Sequence, residues 1–374
     1  MTMELDRRSL LGAASVGAAL MMSDSAAIAK VAEAKKPLFG PAPGIALLSR
    51  NENPYGPAPS AIKAIYDTAS KGCYYADVGL KTLTEMIAER HGVGTENVVV
   101  SSGSTEVLCS VALAWADKGA ILCPELFWDT TVNYGAQKGA NVVRVPLADD
   151  MGIDLDAMTA ALSPEIGLVH ICNPNNPTGM VLDGDDLRGF IRKSSGDATI
   201  LIDEAYNELT DKPEYSSVVD LVKEGHDIIV CRTFSKIYGM AGMRVGYAIT
   251  SPENAAKIRS YLMSFGGNMS GLAAAIASLN DTGFTRYSKN RIVEARSSIM
   301  DTLNGLGMEV LPSQTNFLYV KVPDADALQA QMAQRDIMIR GSYGKQWQNW
   351  SRVSTGKVED VERYNTALIQ LFGK

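Results

Sequence analysis

The stretch RTFSKIYGMAGMRVGY, from Arg232 to Tyr247, contains the lysine best placed in this sequence to take part in a reaction. It follows the apolar run DIIVC, which is typical of a buried strand, and it places Lys236 among hydroxyls and glycines with Arg244 eight residues on. A free ammonium at the end of a buried strand is costly unless it has a partner or faces solvent. Burial that lowers the pKa of such a lysine makes it a nucleophile and a base.

Three further stretches carry polar side chains at the carboxyl ends of predicted strands. They are SSGSTE (Ser101 to Glu106), NPNNPTG (Asn173 to Gly179) and IDEAY (Ile202 to Tyr206). Open α/β sheets bind their ligands at the carboxyl ends of their strands. We therefore expect these three stretches and TFSK to form one site.

The elements that position these stretches alternate along the chain from Asn97 onwards. Short apolar strand candidates are separated by amphipathic helices such as Thr105 to Trp115 and Asp183 to Lys193; the strands are NVVVS, GAILC, NVVRVPL, IGLVHIC, TILID, DIIVC and RVGYAIT. Such alternation indicates an α/β fold with a mostly parallel sheet. It predicts a large domain over residues 72–284.

A smaller α+β domain is predicted to follow. A long helical stretch, TRYSKNRIVEARSSIMDTLNGLG, connects to MEVLPSQTNFLYVKV, a helix near Ala325 to Arg335, IMIR, WSRVST and a last helix. We expect residues 46–71, which include APSAIKAIYDTAS, to pack with residues 285–374 as this smaller domain.

Several functional classes lack their usual signatures. No G-x-G-x-x-G follows a strand, and neither G-x-x-x-x-G-K-[ST] nor G-x-S-x-G occurs. Five widely spaced cysteines and three unpaired histidines argue against a disulfide framework or a metal site. The formal net charge of −7, without a basic block, argues against nucleic acid as a partner.

At the four stretches together the chain resembles the fold-type I, class I and II aminotransferases that use pyridoxal 5'-phosphate. NENPYG, YYAD and IRGSYG…WSRVSTG are most similar to the histidinol-phosphate aminotransferase branch. The resemblance covers residue 45 to the end. It implies a large cofactor-binding domain with a smaller α+β domain, a homodimer, and transfer of an amino group between an L-amino acid and a 2-oxo acid.

The resemblance also implies roles for the cofactor-facing residues. Lys236 matches the lysine that forms an imine with the cofactor aldehyde and then moves the α-proton, and Asp203 matches the carboxylate that pairs with the pyridine nitrogen. Asn176 and Tyr206 match hydrogen-bond partners of the phenolic oxygen, and Phe127 matches the aromatic that stacks on the ring, with Trp128 as its rival. The phosphate anchors would be Gly103, Ser104, Thr105, Thr233, Ser235 and Arg244.

On the substrate side, Arg352 matches the arginine that grips the α-carboxylate, and Arg340 resembles a second substrate-side arginine. Tyr55 and Tyr75 resemble active-site tyrosines, and Tyr75 would reach the cofactor phosphate of the other subunit.

Departures from the branch concern the substrate and leave alternatives open. Arg50 stands where a small residue is common, Thr105 replaces a frequent Asp, and Trp347 and Trp350 precede Arg352. These residues predict a bulkier and differently charged pocket. A decarboxylase of the phosphothreonine type and a non-catalytic pyridoxal-phosphate-binding module are the alternative functions.

The first residues are predicted to be an export signal of the twin-arginine type. Arg7 and Arg8 precede a short apolar run that ends near Ala27-Ile28-Ala29, an A-x-A site. The run is too short to span a bilayer, so no membrane anchoring is expected after its removal. We expect residues 1–29 to be the signal, residues 30–45 a linker, and the location the periplasm, with the cytoplasm as the alternative.

Overall fold

A computed structural model describes residues 37–373. The predicted signal, residues 1–29, and residues 30–36 of the predicted linker lie outside the described residues. Residues 37–45 contain neither helix nor strand, and the Ile45 amide donates to the Ala42 carbonyl at 3.1 Å.

The described residues form eleven strands and thirteen α-helices. The strands are β1 (Ala46–Leu47), β2 (Val98–Ser101), β3 (Ala120–Pro124), β4 (Val142–Val145), β5 (Ile166–Cys172), β6 (Thr199–Asp203), β7 (Ile228–Thr233), β8 (Gly246–Thr250), β9 (Phe317–Lys321), β10 (Ile337–Met338) and β11 (Trp350–Ser354). The helices are α1 (Pro59–Ala69), α2 (Asp77–His91), α3 (Ser104–Ala114), α4 (Thr130–Gln137), α5 (Leu155–Ala160), α6 (Gly184–Ser194), α7 (Pro213–Ser216), α8 (Val219–Lys223), α9 (Pro252–Arg259), α10 (Met269–Leu279), α11 (Thr282–Gly305), α12 (Ala325–Ala333) and α13 (Val358–Phe372).

Seven strands form the central sheet in the order β2-β8-β7-β6-β5-β3-β4. The pairs from β7 to β4 are parallel, and every residue of β5, β6 and β7 is buried. Strands covered on both faces have continuous apolar sequences such as IGLVHIC, which is why no polar alternation appears in them. The predicted α/β fold with a mostly parallel sheet is confirmed.

One strand, β8, runs antiparallel to both of its neighbours. Its first residue, Gly246, therefore pairs with the last residue of β2, Ser101, and with the last residue of β7, Thr233. This register places the segments that follow β2 and β7, and the segment that precedes β8, at one edge of the sheet. The carboxyl ends of β5 and β6 lie at the same edge, because these strands are parallel to β7.

The smaller α+β part contains two short sheets. β9 pairs antiparallel with β11, and β1 pairs parallel with β10. Its core includes Leu48, Ile299, Leu318, Val353 and Leu368, from β9, β11, α11, α13 and the segment after β1. The first strand of residues 46–71 thus belongs to this part.

The helix of the same segment packs differently from the expectation. Ala61 of α1 shares the core of the large domain with Leu272 and Ala275 of α10, because the apolar face of α1 meets the apolar helix MSGLAAAIASL. The expectation that residues 46–71 pack as a whole with the smaller domain is therefore wrong for α1. The other predicted domain boundaries stay predictions.

The cysteines are free, and three of the five, Cys123, Cys172 and Cys231, are buried. Cys73 is exposed. Within residues 37–373 no group of three or more His, Cys, Asp or Glu side chains could hold a metal ion. No helix in that range is both long and apolar enough to cross a membrane.

Candidate active site

A cavity of about 450 Å³ opens at the edge of the sheet where the four polar stretches meet. Twelve of the predicted site residues line it: Ser104, Thr105, Phe127, Asn176, Asp203, Tyr206, Thr233, Ser235, Lys236, Arg244, Arg340 and Arg352. The first ten lie at or near strand ends of the central sheet, and the last two come from the part that contains β9, β10 and β11. The cavity therefore combines side chains of the central sheet with side chains of the smaller sheets.

Lys236 follows the end of β7 by three residues and lies inside the cavity wall. Its Nζ donates to the Asn51 carbonyl at 3.3 Å and lies 5.4 Å from the centroid of the Tyr206 ring. Burial, and next the charge of Arg352, lower the pKa of Lys236 to about 8. An amine with this pKa is partly neutral near neutral pH, so it can act as a nucleophile or accept a proton.

Asp203 ends β6 and is 4% exposed. Its Oδ1 accepts a hydrogen bond from the Ala205 amide at 3.1 Å, and within residues 37–373 it forms no ion pair. Burial raises the pKa of Asp203 to about 7. A buried carboxylate held in this way requires a cationic or hydrogen-bonding group in the cavity to be stable when ionised.

A cradle for an anion lies at the start of α3. Gly103 precedes the helix with φ +83°, and a Cβ there would overlap the guanidinium of Arg244, so only glycine allows that approach. The Thr233 hydroxyl donates to Ser235 Oγ at 2.9 Å at the same end of the sheet. Free amides of a helix start, two hydroxyls and an arginine are the donors that a phosphate group prefers.

Two residues are placed to bind a phenolic oxygen or its equivalent. The Tyr206 hydroxyl accepts from Asn51 Nδ2 at 3.1 Å, and Asn176 Oδ1 accepts from Arg352 Nη1 at 2.7 Å. Burial raises the pKa of Tyr206, so its hydroxyl keeps its proton and can donate.

Phe127 and Trp128 both line the cavity, so both aromatic candidates are present. Phe127 is buried and meets His170 edge to face at 5.0 Å. Burial lowers the pKa of His170 to about 3, so this imidazole is neutral behind the Phe127 ring.

Arg352 lies on β11 and is 7% exposed. Its Nη1 and Nη2 donate to Asn176 Oδ1 and to the Ser49 carbonyl, each at 2.7 Å, whereas its Nε has no partner among the described residues. The buried guanidinium thus keeps unused donors beside the cavity. This arrangement suits a carboxylate ligand.

Three predicted residues, Tyr55, Tyr75 and Gly103, do not line the cavity of this single chain. Tyr55 packs edge to face on Tyr287 at 5.8 Å. Tyr75 is 73% exposed and its ring lies 4.6 Å from that of Phe265. Gly103 contributes through its contact with Arg244.

The residues predicted to change the charge of the pocket line the cavity, but the prediction of a bulkier pocket is wrong. Arg50 and Thr105 line the cavity, but Trp347 and Trp350 do not. Trp350 stacks on Tyr319 at 5.0 Å in a separate buried cluster against which Trp347 packs. Trp350 fills core space because Leu126, Leu311 and Tyr319 pack with it there, and the half-buried Trp347 lies against the same cluster.

Sequence reasoning missed Asn51 and Tyr343. Asn51 joins Lys236 and Tyr206, and its carbonyl also accepts from Asn316 Nδ2 at 2.9 Å. Tyr343 lines the cavity, with the Arg340 and Arg352 guanidinium carbons 5.2 and 5.8 Å from its ring centroid. Both residues lie in stretches quoted above, NENPYG and IRGSYG, where they received no role.

Comparison with known proteins agrees with this geometry. The profile of the family described as aminotransferase class I and II matches residues 43–368. A histidinol-phosphate aminotransferase from Brevibacillus brevis is 32% identical over 327 residues, 87% of this chain and 89% of its own length. An aromatic amino acid aminotransferase from Rhodococcus jostii is 34% identical over 302 residues, 80% and 83% of the two chains.

Among solved structures, a histidinol-phosphate aminotransferase from Sinorhizobium meliloti in complex with pyridoxal-5'-phosphate matches with a TM-score of 0.81. It is 28% identical, and the match covers 87% of this chain and 90% of that one.

The chain belongs to the class I and II aminotransferases. It is a pyridoxal-phosphate-dependent enzyme of fold type I, similar to the histidinol-phosphate aminotransferases. The predicted activity and cofactor are confirmed. The residues present fit that cofactor, because the anion cradle, the buried Asp203 and the lysine of lowered pKa all face one cavity.

Proposed function

We propose that this enzyme transfers the amino group of an L-amino acid that carries a second anionic group to a 2-oxo acid. The observation that supports the reaction is the convergence of Lys236, Asp203 and Arg352 on one cavity. The observation that supports the substrate class is a set of arginines on the substrate side of that cavity.

The cofactor would be held by groups already described. The start of α3, Thr233, Ser235 and Arg244 would bind its phosphate, and Asp203 would pair with its ring nitrogen. When bound, pyridoxal phosphate supplies the reactive aldehyde carbon and a ring that withdraws electrons from the substrate α-carbon. Asn176 and Tyr206 would orient the ring through its phenolic oxygen.

Lys236 would move the proton at the substrate α-carbon. Its pKa of about 8 leaves a neutral fraction that can accept that proton, and its hydrogen bond to the Asn51 carbonyl aims the nitrogen into the cavity. Arg352 would bind the α-carboxylate with its unused donors. Carboxylate binding at a fixed position orients the α-carbon toward Lys236.

The role of Arg352 is tested by Arg352→Lys. We expect kcat/KM for the amino donor to fall roughly 10²-fold, because lysine keeps the charge but cannot form the two-pronged contact and leaves Asn176 Oδ1 without its partner. Steady-state kinetics measure the loss, and the absorbance spectrum of the bound cofactor should not change. A variant with unchanged kcat/KM would contradict the proposed carboxylate site.

The substrate class rests on Arg50 and Arg340. Both are exposed at the cavity, and within residues 37–373 neither forms an ion pair with an acid, while Asp129 nearby is paired with Arg144 at 3.1 Å. Unpaired arginines at a binding site favour a carboxylate or phosphate on the ligand. The substrate would then place one carboxylate on Arg352 and a second anionic group at Arg50 and Arg340.

The donor test compares L-glutamate and L-aspartate with L-phenylalanine, L-leucine and L-histidinol phosphate, each with 2-oxoglutarate or pyruvate as acceptor. We expect kcat/KM for the dicarboxylic donors to exceed that for phenylalanine by roughly tenfold or more, and Arg50→Ala with Arg340→Ala to remove that difference. Chromatography of amino and oxo acids gives the rates. Preference for phenylalanine would overturn the second-anion assignment, and release of carbon dioxide would overturn transamination.

We further propose a homodimer joined through an aromatic patch, defined as Tyr74, Tyr75, Val78, Met263 and Phe265. These side chains are 67–80% exposed, and the contact between Tyr75 and Phe265 joins the two segments that carry them. Exposed apolar surface of this kind is typical of an interface. A second copy is the expected occupant because the predicted site residues Tyr55 and Tyr75 do not reach the cavity of their own chain.

Phe265→Asp should convert the dimer to a monomer and lower activity, because it places a charge in the patch. Val143→Asp, at another exposed apolar residue, is the matched control and should stay dimeric. Analytical ultracentrifugation measures the mass of each variant.

Mixing Lys236→Ala with Tyr75→Phe chains should recover up to roughly a quarter of the wild-type activity, since a hybrid dimer has one complete site. Exchange of subunits without recovery would contradict a shared site.

We also propose that the enzyme is exported to the periplasm after folding. The proposal rests on Arg7, Arg8 and the A-x-A site, which lie outside the described residues. Arg7→Lys with Arg8→Lys should retain the enzyme in the cytoplasm. Fractionation and amino-terminal sequencing measure this, and an uncleaved cytoplasmic wild-type chain would contradict export.

A further inference from the structure

A second cavity, of about 740 Å³, shares no lining residue with the active-site cavity. Its walls come from the end of α2, the segments around α7 and α8, the first turns of α11 and strand β7. Six of its lining residues are Arg or Lys and three are Asp or Glu. We call this cavity the basic cleft and define it by Arg90, Lys223, Arg232, Arg286 and Lys289.

Two of the three acids are used by paired arginines. Arg188 binds Asp220 at 2.8 Å, and Arg232 lies 3.5 Å from Glu208 and 2.7 Å from Glu204 behind the cleft. Within residues 37–373, Arg90, Lys223, Arg286 and Lys289 form no ion pair with an acid. The third acid, Glu214, does not balance four such cations.

The floor of the cleft is polar and largely buried. Arg232 is 8% exposed, and the Tyr238 hydroxyl accepts from Arg90 Nη1 at 3.1 Å. Burial, and next the charges of Arg232, Arg90 and Lys223, lower the pKa of His91 to about 3. The cations of three separate elements therefore act on the same space, where screening by water is weaker than on an open surface.

This positive charge is local, because the whole chain has a formal net charge of −7. Guanidinium and ammonium groups that surround one concave space bind a ligand with several negative charges better than a single ion. The volume of the cleft suits a small molecule. We propose that the basic cleft binds a small polyvalent anion, a phosphorylated or polycarboxylate metabolite, at a site separate from the one that holds cofactor and substrate.

The test uses isothermal titration calorimetry of the cofactor-loaded enzyme at constant ionic strength, with pyrophosphate and citrate as separate probes. We expect at least one probe to bind once per chain with a dissociation constant below about 1 mM. Lys223→Gln with Arg286→Gln should weaken that binding roughly tenfold or more. Both residues are exposed and form no ion pair among the described residues, so the double variant should fold and should melt no lower than the wild type.

Lys138→Gln with Lys357→Gln is the matched control, since both lysines are exposed and line neither cavity. It should bind the probe like the wild type. Arg352→Lys should also keep the binding, which separates the cleft from the substrate carboxylate site. Binding of pyrophosphate alone would assign a phosphorylated ligand, and binding of citrate alone a polycarboxylate. Absence of saturable binding, or equal loss in the test and control variants, would overturn the proposal.

Discussion

Lys236→Ala is expected to lower turnover roughly 10⁴-fold, the largest effect of any single change in this enzyme. The variant loses both the nucleophile and the base that moves the α-proton, and no other lysine lines the cavity among the described residues. Steady-state kinetics with the best donor measure the loss. Borohydride reduction of the wild-type holoenzyme followed by peptide mapping should place the cofactor on Lys236.

Lys138→Ala changes an exposed lysine that does not line the cavity; it is the control and should keep wild-type turnover. A small primary amine added to Lys236→Ala should restore part of the activity, because it can replace the missing base in a cavity emptied of the side chain. Turnover of Lys236→Ala within tenfold of the wild type, or cofactor attached to another lysine, would show that the assignment is wrong.

Asp203→Asn is expected to lower turnover roughly 10²-fold or more while it stabilises the cofactor-free fold above neutral pH. The amide is nearly the same size, but it cannot balance a proton on the cofactor ring nitrogen. In the cofactor-free protein the same change removes a buried carboxylate whose pKa burial raises from 3.8 to about 7. The two effects therefore have opposite signs.

The pH dependence of the stabilisation follows from proton uptake. Between pH 3.8 and about 7 the folded protein binds a proton at Asp203 that the unfolded chain has lost, so wild-type stability falls as pH rises through this window. The Asp203→Asn variant has no carboxylate at this position, so it does not lose stability in this way. Its melting temperature should exceed that of the cofactor-free wild type by a few degrees at pH 8 and by less at pH 5.

Thermal unfolding at the two pH values, with and without pyridoxal phosphate, measures this effect. Glu208→Gln is a control, since Glu208 is a carboxylate outside the active-site cavity and should not affect turnover through the cofactor. A variant with wild-type turnover, or one less stable than the wild type at pH 8, would contradict the role given to Asp203.

The positions of Lys236 and Asp203 were predictable because each lies at, or a few residues after, the end of an apolar strand. An apolar run such as TILID or DIIVC has one energetically favourable place in an α/β protein, the covered centre of a parallel sheet. A polar residue at its end is then at the ligand-binding edge. Neither conclusion depends on which strand lies next to which.

The role of Asn51 was not predictable in the same way. Lys236 and Asn51 are 185 residues apart, and the hydrogen bond between them exists only because the segment after β1 crosses the edge of the central sheet. Trp347 and Trp350 were predicted to lie in the pocket because they precede Arg352 in sequence, and neither lines the cavity. Trp350 and Arg352 are two residues apart on β11, so strand alternation places them on the same face. Trp350 nevertheless stacks on Tyr319 outside the cavity lining, whereas Arg352 lines the cavity, and only the tertiary packing distinguishes them.

The groups that carry the chemistry could be identified from the amino-acid sequence alone. They are a lysine, an aspartate, hydroxyls and arginines at the ends of buried strands, in an order typical of pyridoxal-phosphate aminotransferases. Their electrostatic state and their partners, in contrast, depend on the tertiary structure. Burial lowers the pKa of Lys236 and raises that of Asp203, and the antiparallel β8 brings Gly103 beside Arg244. The segments around β1 and β10, distant in the chain, add Asn51 and Tyr343 to the site. Such effects depend on distances between residues far apart in the chain, which local composition and periodicity do not determine.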